Sequence, residues 1–205
     1  GEILAMVGSK DFNDPNYDGQ FNVTTALRQP GSSFKPFTYL TAFKEGMTAS
    51  TMLMDVPTTF PGGSGQPDYN PVNYDGKYRG PVQLRYALGN SLNIPAVHAI
   101  NYVGVKNFLQ LLHQVGFDSL SKSSNFYDVG LALGDGEVTL LELVRAYSVL
   151  ANQGVMRTLR YRSDGVMHHD KQPVLSAEVA SLVTNILSDP WARQAEFGMD
   201  NILNL

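Results

Sequence analysis

Two residues three positions apart, Ser32 and Lys35, carry the most explicit chemistry in this chain. Residues i and i+3 share one face of a helix, so the Lys35 amine can reach the Ser32 hydroxyl. A helix N-terminus at that point favours negative charge developing on the hydroxyl oxygen. The same dipole, together with burial, lowers the proton affinity of Lys35 and leaves a usable fraction of the amine neutral, as a base requires. Pro36 fixes the register, because its missing N–H is harmless only in a first turn, and the helix therefore begins near Ser32. The competing reading is structural, with Ser32 as an N-cap and Lys35 as a solvated amine. Spacing alone separates the two weakly, since at Ser and Lys frequencies of roughly 6–7% each the pattern arises about once in a chain of this size. The chain does repeat it, as Ser119-Leu120-Ser121-Lys122 followed by Ser123-Ser124-Asn125. That copy lies in a Ser-rich stretch without helical periodicity or a sharp preceding turn, and it reads as solvated loop.

Ser91-Leu92-Asn93 adds a second constellation, placed between two helical segments after Gly89-Asn90 and before Ile94-Pro95. Its spacing points a hydroxyl and a carboxamide the same way. Such a pair can hand a proton to a leaving group and hold a peptide amide. Ordinary capping by Ser91 and Asn93 is the alternative.

The elements that must position these residues follow from punctuation and period. Residues 3–7 form a nearly all-apolar run ended by Gly8, which predicts a strand buried on both faces. A polar stretch with hairpin chemistry then leads to a second predicted strand, 21–26, expected to pair antiparallel with the first. Arg28-Gln29-Pro30-Gly31 is a turn, and 33–45 a helix with Phe34, Phe37, Leu40, Ala42 and Phe43 on its apolar faces, stopped by Gly46. From 47 to 80 the chain is rich in Pro, Gly, Asn and Tyr and reads as one long loop. Its tyrosines Tyr69, Tyr74 and Tyr78 argue for order, through packing or through stacking on a ligand. Helices are predicted over 81–88, 95–103 and 105–115. Thr139 and Glu142 make a capping box for another, running to about Asn152 with Gly154 at its end. A strand over 155–162, a turn at Asp164-Gly165 and an amphipathic helix over 177–187 capped by Ser176 complete the assignment, and the tail from Asp189 reads either way. The sum is an α+β protein in which a mostly helical lobe is inserted into a sheet lobe.

Composition narrows the chemistry further. The net charge of -4 with no run of Lys or Arg gives no electrostatic footprint for nucleic acid or an anionic membrane surface. With no cysteine, thiol catalysis, disulfides and cysteine-ligated metals are excluded. His98 and His113 sit in apolar helical segments and His168-His169 in a polar turn, without i, i+4 ligand spacing, so neither a metal nor any cofactor is expected. Gly62-Gly63-Ser64-Gly65 and Gly134-Asp135-Gly136 lack the context of a phosphate loop and read as turns, and Glu137 as dipole compensation before the capping box. No apolar run approaches about 20 residues, so any membrane attachment must come through an anchor outside these residues.

With both motifs in place, the chain resembles the transpeptidase domain of class A penicillin-binding proteins, the bifunctional peptidoglycan synthases of bacteria, whose superfamily carries S-x-x-K, S-D-N and K-T-G motifs. The resembling segments span nearly the whole chain: the opening strand Gly1 to Val7, the ten residues from Arg28 to Phe37, then Asp55-Val56-Pro57, Tyr69-Asn70-Pro71, Gly80-Pro81-Val82, Ser91-Leu92-Asn93-Ile94-Pro95-Ala96-Val97 and residues 134–152. The resemblance implies a fold like that of serine β-lactamases and D-Ala-D-Ala transpeptidases, with sheet-lobe parts at 1–45 and 155–205 and a helical lobe over about 47–154. It implies that Ser32 is the acylated nucleophile, Lys35 its base, Ser91 a proton shuttle, Asn93 a ligand of the substrate's peptide amide, and the Ser32 N–H one oxyanion donor. Peptidoglycan stem peptides and β-lactams are the implied partners, an upstream glycosyltransferase domain the implied neighbour, and the extracytoplasmic face of the bacterial inner membrane the implied location. One departure stands out: K-T-G or K-S-G occurs nowhere in the chain. In look-alikes it follows shortly after a segment like Asn201-Ile202-Leu203-Asn204-Leu205, so the domain is expected to be partial, its C-terminal strands missing and residues 1–205 inactive alone. The alternatives are a β-lactamase of the same fold, whose best-known E-x-x-x-N signature is absent, and a non-catalytic module that binds wall peptide or protein.

Overall fold

The computed structural model describes residues 1–62, 67–161 and 171–203. The fold is organised around one helix, α1 (Lys35–Lys44), which follows a 3-10 turn over Gly31–Phe34. Every residue of α1 from Lys35 to Phe43 is buried, so the helix is covered all round and shows little amphipathic character. Around it lie α3 (Asn93–Val103), α4 (Val105–Gln114) and α6 (Ala177–Ser188), all in contact with α1. Phe34, Phe37, Phe108, Phe117 and Tyr147 form an aromatic cluster at its N-terminal end, with ring centroids 4.8 to 6.4 Å apart in tilted and edge-on pairs. Truncating one such phenylalanine to alanine costs about 3–5 kcal/mol, so the start of α1 is a well-packed place on which to mount a side chain.

Several expectations hold closely. The capping box at α5 (Leu140–Ala151) is complete: Glu142 N–H donates to Thr139 Oγ1 at 3.1 Å and Thr139 N–H donates to Glu142 Oε2 at 2.8 Å. Ser176 caps α6, accepting from Val179 N–H at 3.3 Å. The ambiguous tail is helical, as α7 (Pro190–Phe197), opened by Asp189 and Pro190.

Others are corrected. Residues 3–7 form no strand; they stay extended, with Leu4 87% and Val7 72% exposed, held by one parallel bridge between Glu2 and Arg160. An apolar run becomes a strand only where a neighbour completes its ladder, and among the described residues the contact with Arg160 ends at Ile3, whose N–H donates to Arg160 O at 3.3 Å. The strand expected at 21–26 is a turn, because Asn22 Oδ1 accepts from both Thr24 N–H at 3.0 Å and Thr24 Oγ1 at 2.6 Å and closes the backbone on itself. Of the expected antiparallel pairing, one bond remains, from Val23 N–H to Gly8 O at 2.9 Å. The long loop contains β1 (Met52–Asp55), which pairs antiparallel with β2 (Gly80–Gln83) in the register Leu53 to Val82 and Asp55 to Gly80. Pro81, expected to open a helix, lies in β2, where a two-stranded sheet has only edge positions and tolerates proline. The following helix α2 (Leu84–Gly89) is correspondingly shorter. The strand expected over 155–162 is reduced to β3 (Val155–Arg157), paired with β4 (Lys171–Pro173). Asp164-Gly165, His168-His169 and most of Gly62-Gly63-Ser64-Gly65 lie outside the described residues.

Candidate active site

The 3-10 turn that carries Ser32 is locked from three directions. Ser33 Oγ donates to Pro30 O at 2.6 Å, Tyr147 Oη donates to Ser33 O at 2.8 Å, and one helical turn on Thr38 Oγ1 donates to Ala132 O at 3.1 Å. Gly31 has φ +59°, and Gly134 (φ +83°) lies so close that a Cβ there would stand 2.5 Å from Gly31 N and O. Two glycines back to back thus bring the 129–134 turn against the backbone just before Ser32. Ser32 is exposed; its carbonyl accepts from Lys35 N–H, and its hydroxyl makes no hydrogen bond among the described residues. It opens into a cleft of about 290 Å³ whose walls include Ser91, Asn93, Tyr74, Arg79 and Glu196.

Lys35 takes the opposite position, 1% exposed. Its Nζ is held across the cleft by the S-x-N turn: by Ser91 O, by Ser91 Oγ at 3.0 Å and by Asn93 Oδ1 at 2.6 Å. Burial pushes its pKa down to about 7, while the Glu196 carboxylate pushes the other way. Near neutrality a large fraction of the amine is therefore neutral, with two N–H donors and one lone pair. Two acceptors occupy the N–H groups, and the Ser91 hydroxyl can donate to the lone pair. The helical register places Ser32 on the face of Lys35, while the fold brings Ser91 and Asn93 onto the same amine. What the arrangement can do is take a proton from one side and give it to a group bound on the other.

The S-x-N turn is itself built. Ser91 has φ +53°, rare for a residue with a side chain. Asn90, just before it, is buried, with Nδ2 donating to Ala192 O at 2.8 Å and Oδ1 accepting from Glu196 N–H at 3.0 Å. At Gly89 a Cβ would lie 2.3 Å from Ala192 O, so α7 sits tight against the approach to Ser91. On the other side Asn93 Nδ2 donates to Val72 O at 2.6 Å and Asn93 N–H donates to Asn73 Oδ1 at 2.8 Å. Sequence reasoning missed Asn73, Asn90 and Glu196. The one available signal was the segment Tyr69-Asn70-Pro71, which ends two residues before Asn73.

Of the other candidates, Ser119 and Lys122 lie outside any helix, and Lys122 stands exposed with Nζ 6.0 Å from the centre of the Phe126 ring. His98 packs edge-on to Phe60, with ring centroids 5.0 Å apart, and His113 Nε2 bonds Leu120 O at 2.8 Å. Tyr69 pairs with Phe60 through a backbone bridge and is partly buried, whereas Tyr74 is 98% exposed at the cleft rim.

A Ser-x-x-Lys at the start of a helix, facing an S-x-N turn, is the motif arrangement of the superfamily that holds penicillin-binding proteins and class A β-lactamases. Comparison with known proteins gives the family: the profile described as penicillin binding protein transpeptidase domain matches residues 1–195, and the chain belongs to that family. It is 36% identical over 186 residues to penicillin-binding protein 1A of Neisseria flavescens, covering 88% of this chain and 23% of that protein. With penicillin-binding protein 1A of Escherichia coli it shares 36% identity over 156 residues, 76% of this chain and 18% of that one. The chain thus spans about a quarter of the length of the curated relatives it matches. Among solved structures, penicillin-binding protein 1A from Haemophilus influenzae superposes with a TM-score of 0.73 at 29% identity, over 84% of this chain and 31% of that chain. PonA1 from Mycobacterium tuberculosis, at 21% identity and a TM-score of 0.71 over 81% of this chain and 48% of that one, shares the fold. The fold is the α+β transpeptidase fold, here seen as helices with two small antiparallel sheets.

Proposed function

We propose that this chain carries the acyl-transfer centre of a bifunctional peptidoglycan synthase, a serine-type D-Ala-D-Ala transpeptidase. The observation that carries the reading is the buried Lys35 amine held by Ser91 and Asn93 beside an exposed Ser32. In the forward step the neutral Lys35 amine takes the Ser32 proton as Oγ bonds to the carbonyl carbon of the penultimate D-alanine. The negative charge on the carbonyl oxygen is met by the Ser32 N–H at the start of α1. The proton then passes from Lys35 through the Ser91 hydroxyl to the departing nitrogen, the C–N bond breaks, and D-alanine leaves. An amine from a second stem peptide reverses the sequence and completes the cross-link. A β-lactam enters the same path, but its leaving nitrogen stays tethered and the ester on Ser32 persists.

Asn93 enters this reading in two ways, as a support for Lys35 and as a contact for the bound peptide, since each end of its carboxamide retains a free hydrogen-bonding site. The K-T-G motif of the family, which is not among these residues, would supply the second oxyanion donor and the contacts to the substrate carboxylate. Residues 1–205 alone are therefore expected to acylate slowly, since losing one oxyanion donor costs about 10²–10³ in rate. The same reading carries with it a linked glycosyltransferase domain and an extracytoplasmic location; among the described residues, no helix is long and apolar enough to cross a membrane.

Fluorescent penicillin and intact-protein mass spectrometry on the full-length protein test the assignment. Ser32→Ala should abolish the covalent adduct and Ser119→Ala should leave it unchanged. An adduct persisting in Ser32→Ala overturns the proposal, a rapidly lost label points to a lactamase, and no label on the parent points to a binding module.

A further inference from the structure

Ser91 has φ +53°, a left-handed backbone that is unfavourable for a non-glycine residue and persists only where its surroundings over-determine it. On the side of α2 the turn is closed by its own backbone, with Ser91 N–H donating to Leu88 O at 3.1 Å and Leu92 N–H to Ala87 O at 3.0 Å. On the side of α3 that device is unavailable, because the first N–H groups of a helix have no partner within it. The first of them, that of Asn93, instead donates to Asn73 Oδ1 in the long loop, 20 positions away. Val72, the preceding loop residue, accepts from the Asn93 side chain. Two adjacent loop residues thus grip both the backbone and the carboxamide of the residue that holds Lys35.

Asn73 is in turn fixed from behind. It is buried, and its Nδ2 donates to Asp55 Oδ1 at 2.7 Å and to Lys77 O at 2.8 Å. Asp55, at the end of β1, is fully buried; its other oxygen accepts from Arg79 N–H at 3.0 Å and lies 3.8 Å from the Arg79 guanidinium. A carboxylate taken wholly out of water is strongly destabilising unless it is bonded and paired. Here Arg79 holds one oxygen of the carboxylate and leaves the other to orient the Asn73 carboxamide. A carboxamide suits that place because it presents an acceptor to Asn93 and a donor to Asp55 from a single planar group.

We propose that Asp55 and Asn73 are positioning residues for acyl transfer: Asp55 orients the Asn73 carboxamide, and Asn73 fixes the start of α3 so that Ser91 and Asn93 meet the Lys35 amine. The proposal rests on the reading of Ser32 as the acylated nucleophile. It gives the 47–80 region a task beyond connection, as the outer brace of the proton-transfer turn.

The test uses the full-length protein and a fluorescent penicillin, with stopped-flow acylation separating the limiting rate from the apparent dissociation constant. Asn73→Asp keeps the acceptor for Asn93 N–H but turns a carboxylate toward Asp55. Combining it with Asp55→Asn exchanges the pair and restores a donor opposite an acceptor between positions 55 and 73, with the same total charge beside Arg79, while the bond to Lys77 O stays unmade. The limiting rate of Asn73→Asp should fall about 10²-fold, the scale of a small misplacement of a reacting group, with the dissociation constant within about threefold of the parent. The exchanged pair should recover to within about tenfold of the parent. A limiting rate within about threefold of the parent in folded Asn73→Asp, whatever its thermal midpoint, overturns the proposal; so does an exchanged pair as slow as the single variant. Should Asn73→Asp fail to fold, Asn73→Gln, with the same amide one methylene further out, is read by the same rate criterion. A parent that is not acylated at Ser32 removes the transpeptidase reading and this one together, whereas an acylated parent with insensitive variants removes this one alone.

Discussion

The chain spells the same tetrad pattern twice, and the two copies differ in everything except their spacing. Ser32 and Lys35 straddle the start of a buried helix, with the lysine 1% exposed and three oxygens of another turn around its amine. Ser119 and Lys122 lie in a loop: Ser119 N–H donates to Glu142 Oε1 at 2.8 Å as part of the support of α5, and Lys122 faces solvent above Phe126. A serine and a lysine three residues apart therefore define no chemistry by themselves. What sets the first pair apart is removal of the amine from water without removal of its hydrogen-bond partners, because here it is desolvation that brings the lysine down to about 7.

The largest effect that could break this comparison comes from arginine in both places. Lys35→Arg keeps a cation but cannot yield its proton near neutral pH, so acylation by penicillin should fall by about 10²–10⁴, the usual worth of a general base. Lys122→Arg should leave the rate unchanged. A folded Lys35→Arg variant, checked by circular dichroism, that acylates within about tenfold of the parent would refute the base role.

A smaller effect sharpens the electrostatic half of the contrast. The folded pKa of Lys35, about 7, lies below its ordinary value of 10.5. Between these values the unfolded chain binds a proton that the folded chain does not, so this residue makes stability rise as pH climbs from about 7 to about 10.5. Below about 7 both states are protonated and the full cost of the buried charge is present. Lys35→Met, which removes the charge, should therefore show its greatest stability relative to the parent at pH 6 and a shrinking advantage at pH 8 and 9. Urea unfolding of both proteins across that range measures it. A difference that is flat with pH would mean that Lys35 titrates alike in both states.

How much of this was legible depended on how local each cause is. The capping box at Thr139 and Glu142, the Ser176 cap and the Pro36 register all lie within a few residues of the element they define, and they stand where the sequence puts them. The opening strands were misread because alternation and apolar runs say that a strand could form, while its neighbour decides whether it does. At 21–26 a single asparagine side chain, bonding its own backbone two residues on, was stronger than the β-branched run. The same holds at the site. Ser32, Lys35, Ser91 and Asn93 could be named from their motifs, but their geometry inverted the simplest expectation: Lys35 bonds to the distant turn and not to Ser32. The brace from Asp55 through Asn73 spans 18 and then 20 positions, a range over which no periodicity operates. A buried Asp in a stretch that reads as one long loop is visible only once the fold has closed over it.

The smallest expected effect completes the comparison from the other side. Lys122→Met makes at the second tetrad the change that at the first removes the base. The Lys122 side chain is exposed, and its contact with Phe126, at 6.0 Å to the ring centre, is at the outer limit for a cation over an aromatic face. Its backbone N–H, which donates to Tyr127 Oη at 3.4 Å, survives the substitution. Nothing buried loses a partner and no cavity opens, so stability should change by no more than about 0.5 kcal/mol, the range of surface substitutions free of such features. Penicillin acylation should proceed at the parental rate. A loss of acylation in Lys122→Met comparable to that in Lys35→Met would place the second tetrad in the reaction and dissolve the contrast on which the site assignment rests.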